Sequence, residues 1–143
     1  MDLLLIGRDG LGNSLTSILL MAMEAKKAGI DVGVIFTQEA LRCVAGEGTI
    51  RWSPGLTGQE LRLRFADVAI ASDLPIAGGK GEGRELDAMA LVGQAKEAGV
   101  PMFACPLWAR LLRLDKLPEG ITVVEPSALL KMLQETKQVI GAI

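Results

Sequence analysis

Apolar positions along this chain fall into short solid runs, separated by longer stretches in which they recur every three or four residues. Leu3 to Ile6, Ile30 to Phe36, Val100 to Ala104 and Ile121 to Val124 are the solid runs. Runs of that length without alternation predict strands buried on both faces, as in a parallel sheet. Between them the spacing is helical. Leu15, Ile18, Leu19 and Ala22 share one face of a helix that Asn13 or Ser14 is placed to cap, running to about Ala28 with Gly29 as its stop. Thr37 to Ala45 reads as a short helix closed by Gly46 and Gly48. Thr57-Gly58-Gln59-Glu60 has the form of a capping box and predicts a helix over Leu61 to Ala66, followed by a short strand at Val68 to Ala71. Leu86, Met89, Ala90 and Gly93 mark a helix ending at Gly99, and Leu107, Leu111 and Leu114 mark another. Pro126 opens a last helix, with Leu129, Leu130 and Leu133 directed inward. Gly46 to Gly58 is rich in turn residues, and Pro75 with Gly78 to Gly83 predicts a flexible loop.

Glu24-Ala25-Lys26-Lys27-Ala28-Gly29-Ile30 is echoed by Gln94-Ala95-Lys96-Glu97-Ala98-Gly99-Val100. Each is a helix end, a glycine stop and the start of an apolar run. The alternation of strand and helix predicts a mostly parallel sheet of about five strands, covered on both faces. The expected architecture is a single α/β domain over residues 1–143, a three-layer α/β/α fold that is flavodoxin-like in outline.

Composition narrows the chemistry. Half the residues are hydrophobic but only 3% are aromatic, so Leu, Val, Ile, Ala and Met must build the core. An apolar excess in so short a chain predicts that some of it is buried between subunits. No apolar run approaches the roughly 18 residues of a membrane span. The N-terminus is interrupted by Asp2, Gly7 and Arg8 and is no signal peptide, so a cytoplasmic protein without a membrane partner is expected. The net charge is −2 with scattered basic residues, which argues against direct nucleic-acid binding. Histidine and tyrosine are absent. Cys–His and Ser–His–Asp catalysis and histidine metal sites are therefore excluded, and two cysteines cannot form a structural zinc site. Any acid or base must be a carboxylate, a lysine, a thiol or water.

Cys105 is the leading chemical candidate. It ends the Val100 to Ala104 run, and Pro106 suits the first position of the helix after it, which places Cys105 at the N-cap. There a thiol meets free backbone N–H groups and the positive end of the helix dipole, which favour a thiolate. In a parallel sheet, reactive groups gather at the carboxyl ends of the strands. The alternative is a small buried hydrophobe at a strand end. Cys43, between Leu41 and Val44, reads as core. The glycine-rich turn Gly7 to Asn13 follows a strand and opens a helix, a context that can cradle an anion through Gly10, Gly12 and Asn13. Its glycines at 7, 10 and 12 do not match a dinucleotide fingerprint, and a tight structural turn is the simpler reading. Lys80 is followed by Gly81, not Ser or Thr, so Gly78 to Gly83 is not a P-loop. Arg110 stands about one turn from Cys105 and can stabilise a thiolate or lie in solvent; Trp108 can shield the thiol or merely pack.

The order from Leu86 onward resembles the DsrE/DsrF-like family of sulfur-relay proteins: a helix ending Ala98-Gly99, a short strand, Ala104-Cys105, an amphipathic helix, then Leu117-Pro118-Glu119-Gly120-Ile121-Thr122-Val123-Val124 and a closing helix. The first 36 residues are similar too; the middle, from Gly46 to Gly83, matches nothing. The resemblance implies a trimer or hexamer in which Cys105 accepts sulfane sulfur as a persulfide from a donor protein and passes it to an acceptor. No metal or organic cofactor is implied. The amides of Leu107 and Trp108 would stabilise the thiolate. Pro106 departs from the small or polar residue expected after that cysteine. The competing expectation is a non-catalytic oligomeric subunit of the same fold that binds a small anion or a partner segment at Gly7 to Asn13 and the strand ends.

Overall fold

The computed structural model describes residues 1–74 and 79–141. Five strands form one all-parallel sheet in the order β4-β3-β2-β1-β5: β1 (Leu3–Gly7), β2 (Val32–Phe36), β3 (Met102–Ala104), β4 (Ile121–Val123) and β5 (Gln138–Gly141). The helices are α1 (Gly12–Lys27), α2 (Gln38–Val44), α3 (Gln59–Ala71), α4 (Ala88–Glu97), α5 (Pro106–Leu111) and α6 (Pro126–Glu135). This is the expected three-layer α/β/α fold with five strands.

The path from β1 to β2 to β3 steps one way across the sheet. Right-handed crossovers then put α1 and α4 on the same face, where they pack against each other. Leu15, Ile18, Leu19 and Ala22 of α1 and Leu91, Val92 and Ala95 of α4 close over Leu5, Val34, Phe36 and Met102 of the sheet. The crossover from β4 to β5 runs back over the whole sheet and carries α6 to the opposite face. There Leu4 and Ile35 are buried apart from the main core. Met1 lies over Gly33, where a Cβ would come within 2.8 Å of its Cε, and Met1 shares a surface pocket with Ala128 and Met132 of α6.

Several expectations are corrected. The helix continues through Val68 to Ala71, so no strand forms there; Ala66 and Ala69 set its buried stripe while Val68 and Ile70 face solvent. The fifth strand is instead β5, parallel to β1 and fastened by the Gln138 amide to the Asp2 carbonyl and by Lys137 Nζ to the Asp2 carboxylate at 2.6 Å. The capping box does not form: Gly58 is the N-cap of α3 and the Thr57 hydroxyl donates to the Pro54 carbonyl. Neither Asn13 nor Ser14 caps α1, whose N-cap is Leu11. The buried face of α4 is Ala88, Leu91, Val92 and Ala95, not Leu86, Met89, Ala90 and Gly93, because Asp87 caps the Met89 and Ala90 amides and small residues let α4 approach α1. In α6, Leu130 is exposed, and Leu129 and Leu133 are half-buried. Of the loop expected at 75–83, residues 75–78 lie outside the described residues, while Gly81–Gly83 forms a 3-10 turn beside the Arg84–Asp67 ion pair.

Candidate functional site

The carboxyl ends of β1, β2 and β3 lie side by side, and the chain leaves all three in tight turns. The Thr37 amide donates to the Gly7 carbonyl at 2.9 Å, the Ala40 amide to Arg8 at 3.0 Å, and the Cys105 amide to Phe36 at 3.0 Å. These bonds stitch three strand ends into one platform. A cleft of about 440 Å³ opens there, lined by Arg8, Asp9, Gln38, Glu39, Arg42, Trp108 and Leu112. Gln38 is in the left-handed region at φ 53°, a conformation that costs energy in a side chain of its size. No ion pair engages Arg8 or Arg42 among the described residues. The Asp9 and Glu39 carboxylates line the same cleft, so its formal charges balance.

Cys105 occupies the N-cap of α5, with Pro106 at the first helical position. It is half-buried and unpaired with another cysteine. Its carbonyl accepts from the Ala109 amide, and the first helical amides have no intrahelical acceptor. Helix α5 is only six residues long, shorter than the Leu107 to Leu114 spacing suggests. Arg113, at φ 50°, turns the chain out of it. Ala109 is the buried residue of α5, while Leu107 and Leu111 are 59% and 61% exposed. Trp108 reaches the cleft; Cys105 itself is not among the residues that line it. Arg110 is exposed and makes no ion pair among the described residues.

The glycine turn after β1 holds its own structure together. Asp9 accepts from the Leu11 amide at 3.0 Å and from the Ser14 hydroxyl at 3.1 Å. The Gly12 amide donates to the Arg51 carbonyl at 2.8 Å, and the Asn13 side-chain oxygen accepts from the amide and hydroxyl of Ser53. A Cβ at Gly12 would meet the Trp52 indole at 2.6 Å. Gly12 and Asn13 thus receive the segment around Trp52, and an anion arriving there would also meet the Asp9 carboxylate. Gly10 is spent on Cys43: a Cβ would come within 2.5 Å of its Sγ, which lies 3.7 Å from the Gly10 carbonyl. Burial, and next the charge of Glu39, push the Cys43 thiol upward from its ordinary value.

The structure therefore brings Trp108 to the strand-end cleft but leaves Leu107 and Arg110 in solvent and places Gly10, Gly12 and Asn13 in packing roles. Sequence reasoning missed Arg8, Asp9, Gln38, Glu39 and Arg42. Their signal was present: in a parallel sheet, charged and polar residues directly after an apolar strand lie at the ligand-binding edge.

The geometry defines a class: a small α/β/α protein with a half-buried cysteine at the carboxyl end of an interior strand. No family model matches the chain, and no curated protein does. Solved structures do. The crystal structure of the YchN protein from E. coli matches with a TM-score of 0.61 at 13% identity, over 99% of this chain and 100% of that one. A conserved protein of unknown function from Bacteroides thetaiotaomicron, BT1422, matches with a TM-score of 0.55 at 13% identity, over 99% and 94%. At that identity the likeness is one of fold: this chain shares the architecture of YchN.

Proposed function

We propose that this chain is a sulfur carrier of the DsrE-like type, with Cys105 as the residue that carries the sulfur. The observation behind this reading is the placement of a half-buried, unpaired thiol at the carboxyl end of β3 and the amino end of α5, on a fold shared with YchN. The Cys105 thiolate attacks the sulfane sulfur of a donor. A sulfur–sulfur bond forms at Sγ, and the donor's remaining thiolate or sulfite leaves with the electron pair. An acceptor thiolate then attacks the outer sulfur, and Cys105 departs as thiolate. Neither step needs an oxidant or a metal. The Cys105 side chain makes no hydrogen bond to the first amides of α5 in the resting chain; in both steps those of Leu107 and Trp108 are the donors nearest along the chain to take up the developing negative charge.

Donor and acceptor are proteins of the reduced cytoplasm in this reading, and the carrier is a trimer or hexamer. Leu107, Leu111, Val123 and Leu130 are all more than half exposed in the isolated chain, which supports burial between subunits. Intact mass after incubation with a sulfane-sulfur donor tests the chemistry. Wild type gains one sulfur and Cys105→Ser gains none; equal gain by both, or gain by neither, ends the proposal.

The cleft beside α5 favours a second reading, a binding subunit in which Arg8 and Arg42 hold a small anion and Cys105 is inert. Alkylation separates the two: the carrier requires Cys105 to react faster than a model thiol at neutral pH, and the binding subunit does not.

A further inference from the structure

A second pocket, away from Cys105, is built by the segment between α2 and α4 that resembles nothing familiar in sequence. Its volume is about 200 Å³, below the roughly 300 Å³ at which drug-sized sites begin, so it suits a single-ring ligand. One wall is aromatic. Trp52 and Phe65 face each other with centroids 6.2 Å apart and planes inclined by 29°. The chain has just five aromatic side chains, three Phe and two Trp, so two of them in one small pocket is a concentrated use of a scarce residue type. Ile50, Leu56 and Leu86 complete the apolar lining.

The rim is polar and carries net positive charge. Arg51 and Arg62 stand against one carboxylate, Glu85. Arg51 makes no ion pair among the described residues. Arg62 is poorly satisfied: Nη1 is 3.7 Å from Glu85, Nη2 donates to the Glu82 carbonyl at 3.3 Å, and Nε has no hydrogen-bond partner. A charge-assisted guanidinium–carboxylate bond closes to about 2.7–2.9 Å, so Glu85 leaves this cation room for a better partner. The pocket wall is also held in place before any ligand arrives. The Arg51 carbonyl takes the Gly12 amide, Ser53 is tied to Asn13, and Trp52 rests on Gly12 with no room for a side chain there.

We infer that this pocket binds a small aromatic carboxylate, its ring against Trp52 and Phe65 and its charge on Arg51 and Arg62. The site is independent of the persulfide chemistry at Cys105. Trp108→Phe leaves Trp52 as the one indole reporter, and benzoate is the probe. Its titration gives a saturable fluorescence change with a dissociation constant on the order of 0.1–1 mM, and neutral benzamide binds at least about tenfold more weakly. Arg51→Gln and Arg62→Gln each weaken benzoate severalfold or more. Glu85→Gln tightens it, because the competing carboxylate is gone. Cys105→Ser binds like wild type. Saturation-transfer NMR of benzoate on the unaltered chain repeats the measurement without any substitution. Absence of both signals overturns the inference. So does equal binding of benzoate and benzamide, or undiminished binding by both arginine variants when circular dichroism shows them folded.

Discussion

Cys43 and Cys105 each stand shortly after a strand of the same sheet, one in the helix after β2 and the other at the head of the helix after β3. The fold treats them in opposite ways. Cys43 is 6% exposed and wedged between Gly10 and Gly48, two positions where a Cβ would approach its sulfur to 2.5 and 3.0 Å. Burial first and then the Glu39 carboxylate disfavour a thiolate there and outweigh the opposing charge of Arg42. Cys105 precedes its helix, and Pro106 opens the first turn toward free amides. Residue type does not separate them; position on the helix does. One sulfur is buried in packing, and the other is half-buried at the head of a helix.

The largest expected effect breaks the comparison outright. Cys105→Ser abolishes sulfur loading in intact-mass measurements, while Cys43→Ala leaves it unchanged. Next, iodoacetamide labels Cys105 on the order of 100-fold faster than Cys43, which reacts only when its surroundings open. Comparable rates at the two sites would dissolve the contrast. Third, Gly10→Ala forces a methyl group against Cys43 Sγ and the Glu39 carbonyl and lowers stability by about 1–3 kcal/mol in denaturant melts. Combining it with Cys43→Ala recovers part of that loss, because the clashing sulfur is gone.

A smaller effect is one of pH. The Cys43 thiol is raised above its ordinary 9.0, first by burial and then by Glu39. A raised group of this kind contributes stability that is fully present below 9.0 and is lost as pH rises through its folded-state value. As pH rises above 9.0, wild type therefore loses stability more steeply than Cys43→Ala. Equal slopes would remove the argument for a buried, protonated thiol. The smallest change is expected at Pro106→Ala. The first helical position needs no amide partner, so stability moves by less than about 1 kcal/mol and sulfur loading persists.

The repeated helix-end, glycine and strand pattern was legible, and both glycine stops take the positive φ the pattern requires, 81° at Gly29 and 77° at Gly99. The position of Cys105 before Pro106 was legible for a local reason too, since the N-cap and first helical position are set by neighbours along the chain. Reading failed where two elements compete for the same residues. Val68 to Ala71 has strand-like composition, but the turn that begins α3 carries the helix through it, and packing at Ala66 and Ala69 sets the phase. Val139 and Ile140 form a strand because β1 offers an open edge and the Asp2–Lys137 pair holds the end of the chain beside it.

The sequence by itself determined the layer architecture, the solid apolar runs as parallel strands, and Cys105 at a strand-to-helix junction, because periodicity and capping act over a few residues. Tertiary structure alone decided the order of the strands, the length of α5, the gathering of Arg8, Gln38, Arg42 and Trp108 around one cleft, and the aromatic pocket at Trp52 and Phe65. Those depend on contacts between residues far apart in the chain, whose geometry exists only once the sheet has assembled and its strand ends stand side by side.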